Sequence, residues 1–151
     1  MAEAPSASAS PTPSVSGSAT PAPSPDDATT ARTVATRYET ARASGDWQTA
    51  WSMLSAYSQG LYGSLAAYER VESAYNASGG STFEIADPTR SPDLFAPEFL
   101  GQAYLDAKAN ADIDRAWLVM VNHPDVKGAS AASTGLLVAP IGDRWSVWIA
   151  R

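Results

Sequence analysis

From Asp26 onward the apolar residues recur at helical spacing. Ala31, Val34, Ala35, Tyr38 and Ala41 fall at i, i+3, i+4, i+7 and i+10, with Arg32, Thr36, Arg37, Glu39 and Thr40 away from that stripe. This pattern predicts an amphipathic helix. Asp26, Asp27 and Thr29 supply N-cap candidates and negative charge at its amino end. Gly45 is a natural stop, and Asp46 directly after it is a good cap for a second, short helix on which Trp47, Ala50, Trp51 and Leu54 share a face. A third helix is expected from about Tyr62 to Ala77. Leu61, Leu65, Tyr68, Val71 and Tyr75 form its stripe, and Gly79-Gly80 ends it.

The periodicity then shortens. Phe83 and Ile85 alternate with Thr82, Glu84 and Ala86 until Asp87-Pro88 breaks the strand, and Arg90 to Pro97 reads as loop. Glu98 to Ala111 carries a weak helical pattern anchored by Phe99, Ala103 and Leu105. Arg115 to Asn122 (RAWLVMVN) is apolar on both alternating sets, which suits a strand covered on both faces. Thr134 to Ala139 and Arg144 to Ala150 are two further strands, joined as a hairpin across Pro140-Ile141-Gly142-Asp143. Helices segregated ahead of a mostly antiparallel sheet make the expected class α+β. The expected architecture is three N-terminal helices packed on a curved, mostly antiparallel four-stranded sheet.

Composition separates the first 25 residues from this domain. Ala2 to Pro25 is nearly all Ala, Ser, Pro and Thr, with Glu3 the only charge and Val15 the only large apolar side chain. Such a segment has too little apolar surface to offset an ordering cost of roughly 1–2 kcal/mol per residue. It reads as a semi-stiff tether (1–25) ahead of one folded domain (26–151). A leader of this kind, before an acidic and lysine-poor domain, is what remains when an exported protein loses a signal or lipid-anchor segment. Met1 then reads as a start placed after that cut. The expected location is extracytoplasmic, with any membrane attachment made through the removed N-terminal anchor.

The formal net charge is −6; Lys108 and Lys127 are the only lysines, and the arginines are scattered. Without a basic patch, nucleic acid and anionic membrane surfaces are not expected partners. One histidine and no cysteine leave no soft metal site, and Asp106, Asp112 and Asp114 lack calcium-loop spacing. No metal or cofactor is therefore expected. Cysteine nucleophiles are excluded, and neither a G-x-S-x-G elbow nor a phosphate-cradling loop is present.

The amphipathic helix, the Gly45-Asp46-Trp47 turn, the helix carrying AWSML, the third helix and the terminal hairpin with Trp145-Ser146-Val147-Trp148 together resemble the nuclear-transport-factor-2-like superfamily. The likeness is greatest to its small exported or lipoprotein-type bacterial members and covers Ala28 to Arg151. It implies a cone-shaped α+β fold whose helices and curved sheet enclose a pocket. Some members are isomerases, dehydratases or epoxide hydrolases, and many are non-catalytic binding or accessory domains, so the fold implies no reaction.

Within such a cone, Tyr38, Trp51, Tyr68, Trp117, Met120 and Trp148 are the candidates to line an apolar cavity, although an aromatic stripe at helical spacing more often simply closes a core. Trp47, in the first turn after Asp46, is expected to seal the joint between the first two helices, and Trp51 to point inward. The leading expectation is a non-enzymatic domain that binds a small apolar ligand or a partner protein. One alternative is a cofactor-free isomerase or hydrolase with Asp87 or Asp114 as general base and a tyrosine as oxyanion donor. Another is a structural module that forms a homodimer through an exposed sheet face. His123, in Asn122-His123-Pro124-Asp125, is expected at a loop edge making ordinary hydrogen bonds. The glycosylation pattern Asn76-Ala77-Ser78 is discounted as a chance match.

Overall fold

A computed structural model of the chain describes residues 24–91, 93–95, 97–128 and 132–150. Most of the expected tether, residues 1–23, lies outside the described residues. Its last member, Pro25, already belongs to the domain as the first residue of helix α1 (Pro25–Ser44). The N-cap is Ser24 rather than Asp26, Asp27 or Thr29; its side chain accepts from the Asp26 N–H, and the two aspartates fall in the first turn. Proline at the first helical position has no N–H to lose there and a φ already suited to the helix.

The next punctuation follows the sequence expectation. Gly45 closes α1 in the left-handed region (φ 79°). The Asp46 side chain then accepts from Thr49 N at 3.2 Å to start α2 (Trp47–Met53). The single third helix is corrected to two, α3 (Ala56–Tyr62) and α4 (Leu65–Tyr75). Gly63 (φ 85°) stops α3, and Ser64 caps α4 by accepting from Ala67 N at 3.1 Å. With the helix broken there, the expected stripe holds in part, at Leu65 and Tyr68. Leu61 and Val71 are 51% and 43% exposed, whereas Tyr68 and Glu72 are the buried residues of α4. A π-turn over Asn76–Gly80 ends α4. At Gly79 φ is 104° and an added Cβ would lie 2.4 Å from the Asp125 carbonyl oxygen, so glycine is required twice over.

The sheet runs β1 (Glu84–Ile85), β2 (Trp117–Asn122), β3 (Ser133–Ile141) and β4 (Arg144–Ala150) in sequence order. Every pairing is antiparallel, with Leu118 opposite Leu137 and Leu137 opposite Trp148. Gly142-Asp143 is the tight turn of the β3–β4 hairpin. Between β1 and β2, α5 (Pro97–Leu100) and α6 (Gln102–Asn110) replace the one expected helix, broken at Gly101 (φ 57°). Of its expected anchors Ala103 is buried, whereas Phe99 and Leu105 are each 48% exposed and Leu100 and Ala107 are buried in their place. A 3-10 turn (Ile113–Arg115), capped by Asp112, leads into β2.

The fold is thus α+β, with six α-helices and a four-stranded antiparallel sheet among the described residues. Alternate residues of the strands feed two cores. Val119, Val121, Leu136, Val138, Val147 and Ile149 pack with Ala31, Ala35 and Tyr38 of α1 and Tyr68 of α4. Leu118, Leu137, Ala139 and Trp148 pack with Leu100, Ala103 and Ala107 of α5 and α6. β2 is therefore covered on both faces, as its two apolar sets require. Helices α5 and α6 lie against this second face of the sheet. The segment after α2 guards the free edge of β4: Leu54 bridges Val147 in parallel, and Ser55 N–H donates to Val147 O at 2.8 Å.

Candidate functional site

On α1, the buried face is Ala31, Ala35, Tyr38, Glu39, Ala41 and Arg42. Glu39 is four residues after Ala35, and Arg42 four after Tyr38, so both charges continue the stripe toward the carboxyl end of the helix. On α4, Glu72 lies four residues after Tyr68 and shares its buried face. Glu39, Arg42 and Glu72 are 2%, 2% and 3% exposed. Burial of this degree requires that the charges be paired and hydrogen-bonded.

Arg42 is the hub. Its Nε–H donates to Glu39 Oε2 at 2.8 Å, and Nη1 lies 2.9 Å from Asn76 Oδ1 and 3.5 Å from Glu72 Oε2. Nη2 donates to the Gly80 carbonyl oxygen. The planar guanidinium fork is thus spread over two carboxylates and two neutral acceptors. Asn76 returns its Nδ2–H to Arg42 O at 2.9 Å, locking the end of α4 to the end of α1. This residue opens the Asn76-Ala77-Ser78 pattern, and its amide is committed to the fold. Tyr62 hydroxyl donates to Glu72 Oε1 at 2.7 Å, and Tyr68 hydroxyl to Tyr38 hydroxyl at 3.1 Å.

The electrostatics follow from burial. Removal from water pushes the Glu39 carboxyl up from its ordinary value, against the opposing pull of Arg42. Burial would lower Arg42, but Glu39 and then Glu72 outweigh it and hold the guanidinium more firmly charged than usual. Tyr38 and Tyr68 are raised chiefly by burial and stay protonated. His123 is lowered, first by burial and next by Arg42. It follows directly on the last residue of β2 and makes an ordinary contact, Nδ1 3.3 Å from Thr82 O, as expected of a loop-edge histidine; it is also 1% exposed, with its ring edge-on to Tyr75 at 5.2 Å.

Above this cluster lies a pocket of about 390 Å³. Tyr38, Glu39, Arg42, Glu72, Tyr75 and His123 form its helix-side wall. Ser133 and Thr134 stand on its strand side, with the aliphatic surface of Leu136, Ile149 and Ala150. Among the described residues no group of three or more His, Cys, Asp or Glu could hold a metal ion. The site offers acceptors, a saturated cation and ring faces, which suits non-covalent recognition or proton transfer.

Of the six residues picked from the sequence, Tyr38 lines this pocket. Tyr68 is buried behind it. Trp51 is half-buried, its ring 5.6 Å from that of Tyr68, while Trp47 meets the same tyrosine edge-on at 6.3 Å. The Trp47 ring also lies against Gly45 at the joint of α1 and α2, as expected, whereas Trp51 packs on Tyr68 and does not line the pocket. Trp117 lies beside a surface groove with Pro25, Arg32 and Pro88, and its buried Nε1–H has no hydrogen-bond partner among the described residues. Met120 and Trp148 belong to the opposite core, where Trp148 Nε1–H donates to Asp106 Oδ2 at 2.8 Å. The general-base candidates lie elsewhere. Asp87 is 92% exposed at its side chain and paired with Arg32, and Asp114 is exposed on the 3-10 turn. Glu39, Arg42, Glu72 and His123 were missed; the i, i+4 continuation of Ala35 and of Tyr38 was the available signal for the first two.

Compared with known protein families, with curated proteins and with solved structures, the chain finds no match.

Proposed function

We propose that this chain is a non-catalytic binding domain that takes a small ligand in the pocket between α1, α4 and the sheet. The observation that carries this is the combination, in one cleft of about 390 Å³, of buried polar groups on one wall and aliphatic surface on the other. Ligand sites are commonly concave and largely apolar, with a few fixed polar groups that set orientation. The ligand we infer is apolar in its body and polar at one end. The element order and the Gly45-Asp46-Trp47 turn support the finer view of a cone-shaped, nuclear-transport-factor-2-like fold. The composition of residues 1–25 supports an extracytoplasmic location. No helix among the described residues is long and apolar enough to cross a membrane.

A second reading keeps the pocket and gives it cofactor-free acid–base chemistry. What favours it is Glu39, a buried carboxyl raised toward the range useful to a general base, with tyrosine hydroxyls nearby. In that case Glu39 takes the role the sequence suggested for Asp87 or Asp114.

The test is a ligand-observed NMR screen of a fragment mixture against the wild type and Thr134→Trp, which fills the strand-side rim without touching the core. Fragments should bind the wild type and be lost in Thr134→Trp at unchanged melting temperature, while Asp87→Asn and Asp114→Asn bind as wild type does. Equal binding by the wild type and Thr134→Trp would overturn the assignment of the pocket. Turnover of a bound fragment that stops in Glu39→Gln would favour the second reading.

A further inference from the structure

We infer that the groove beside Trp117, at the amino end of α1, is a dock for the chain's own Pro11-Thr12-Pro13-Ser14-Val15 stretch, with the Trp117 indole N–H donating to one of its carbonyl oxygens. The groove shares no lining residue with the pocket between α1, α4 and the sheet.

Trp117 opens β2, and its ring forms part of a groove of about 500 Å³ with Pro25, Ala28, Thr29 and Arg32 of α1 and Asp87-Pro88 after β1. Two ion pairs fix these walls. Arg115 grips Asp27 in the first turn of α1, with Nε 3.0 Å from Oδ2 and Nη2 2.9 Å from Oδ1, and Arg32 pairs with Asp87. The two charges that line the groove are therefore engaged with each other, and the Thr29 hydroxyl donates to Pro25 O at 3.2 Å. One donor remains. The Trp117 Nε1–H is buried and has no partner among the described residues. A buried donor without an acceptor is costly and rare in a native fold. A turn of the indole toward the groove would give that N–H an acceptor lodged there.

Such a groove suits an apolar occupant that brings carbonyl oxygens and few N–H groups in need of partners. A proline segment meets this description. Each proline has a carbonyl and no N–H, and its fixed φ lowers the ordering cost of docking against an aromatic wall. The chain carries such a segment next to the groove. Residues 1–23, which lie outside the described residues, include Pro5, Pro11, Pro13, Pro21 and Pro23, with Glu3 the only charge. They join the domain at Ser24, beside the groove residue Pro25. Between Ala2 and Pro25 the only large apolar side chain is Val15, which singles out Pro11 to Val15. Residues 16–24 reach about 30 Å when extended, whereas Arg32, the last α1 residue on the groove, lies about 10 Å along the helix from Pro25. Attachment this close also raises the local concentration of the segment at its dock.

The test uses the whole chain. It has no cysteine, so Ser10→Cys places a nitroxide at a single site. Paramagnetic broadening is read at the Trp117 indole N–H, assigned by its loss in Trp117→Phe, and at the amides of Ala28 and Arg32. These signals should broaden. In Val15→Ser, and in Thr29→Trp, which fills the groove from an exposed position, the ratio of docked to free segment should fall about tenfold. Val15 lies in the leader, so the comparison stands even should Thr29→Trp fail to fold. Without the nitroxide, the Trp117 indole proton should lie further downfield in the wild type than in Val15→Ser, as a donor that has gained an acceptor does. Broadening that is absent, or equal in Val15→Ser, would overturn the docking, and an unshifted indole signal would overturn the hydrogen bond. Broadening that persists when nitroxide and isotope label are carried by different chains would overturn the intramolecular dock and give the groove to the leader of a second copy.

Discussion

The two faces of the sheet are made from alternate residues of the same strands, yet they bury different chemistry. The face under α5 and α6 is closed by Leu118, Leu137, Ala139 and Trp148 against Leu100, Ala103 and Ala107. Its side-chain hydrogen bond to α6 is that of the Trp148 indole N–H on Asp106. The face under α1 and α4 begins in the same way, with Ala31, Ala35 and Leu136, but ends in Glu39, Arg42, Glu72 and an open cleft. An apolar face needs only volume and shape to match, so its strength is spread over many contacts. A face with buried charge depends on each partner being present, because one unpaired ion costs more than any single methyl group.

The largest expected difference between the faces comes from Arg42→Met. Removing the guanidinium leaves the buried Glu39 without its donor and takes an ion-pair partner from Glu72, and unfolding free energy should fall by about 3–5 kcal/mol in urea titrations. A loss below about 1 kcal/mol would mean that the carboxylates do not depend on it. On the opposite face, Trp148→Phe keeps most of the ring volume and loses the hydrogen bond to Asp106. The expected cost is about 1–3 kcal/mol, with fragment binding in the pocket unchanged. Binding that weakens along with stability in this variant would show that the two faces are not independent.

The smallest effect is confined to acid pH. His123 has a folded pKa below its ordinary 6.5, so beneath that pH the unfolded chain takes up a proton that the native state resists. Stability is therefore lost as pH falls below 6.5, and His123→Gln should flatten that loss in melting curves taken from pH 7.5 to 5. Glu39 acts in the opposite sense. Its folded pKa lies above 4.5, so the native state holds a proton that the unfolded chain releases, and its contribution grows as pH falls toward 4.5. A His123→Gln profile identical to the wild type would show that the imidazole titrates as freely in the fold as outside it.

Much of the chain's punctuation was legible beforehand because it is decided within a few residues. Gly45 and Asp46 stop one helix and cap the next, and Gly142-Asp143 turns the last hairpin. The two apolar sets of Trp117 to Asn122 announced a strand with cover on both sides. The break at Gly63-Ser64 carried an equally local signal, but the apolar spacing of Leu61 with Leu65 and Tyr68 concealed it.

The site was not legible in the same way. Glu39 and Arg42 occupy the buried stripe of α1, but charged residues belong inside only when partners await them. Those partners, Glu72, Asn76 and Gly80, come from thirty or more positions along the chain. The fate of the aromatic residues was equally remote. In β4 the alternation puts Val147 and Trp148 on opposite faces, and nothing local says which face meets α1 and which meets α6. The chain alone could settle where its elements start, stop and turn, since those choices rest on backbone torsions and neighbouring caps. Which face holds the pocket, and which charges survive inside it, depended on α1, α4 and the sheet meeting, because a buried charge is stable only beside the groups that satisfy it.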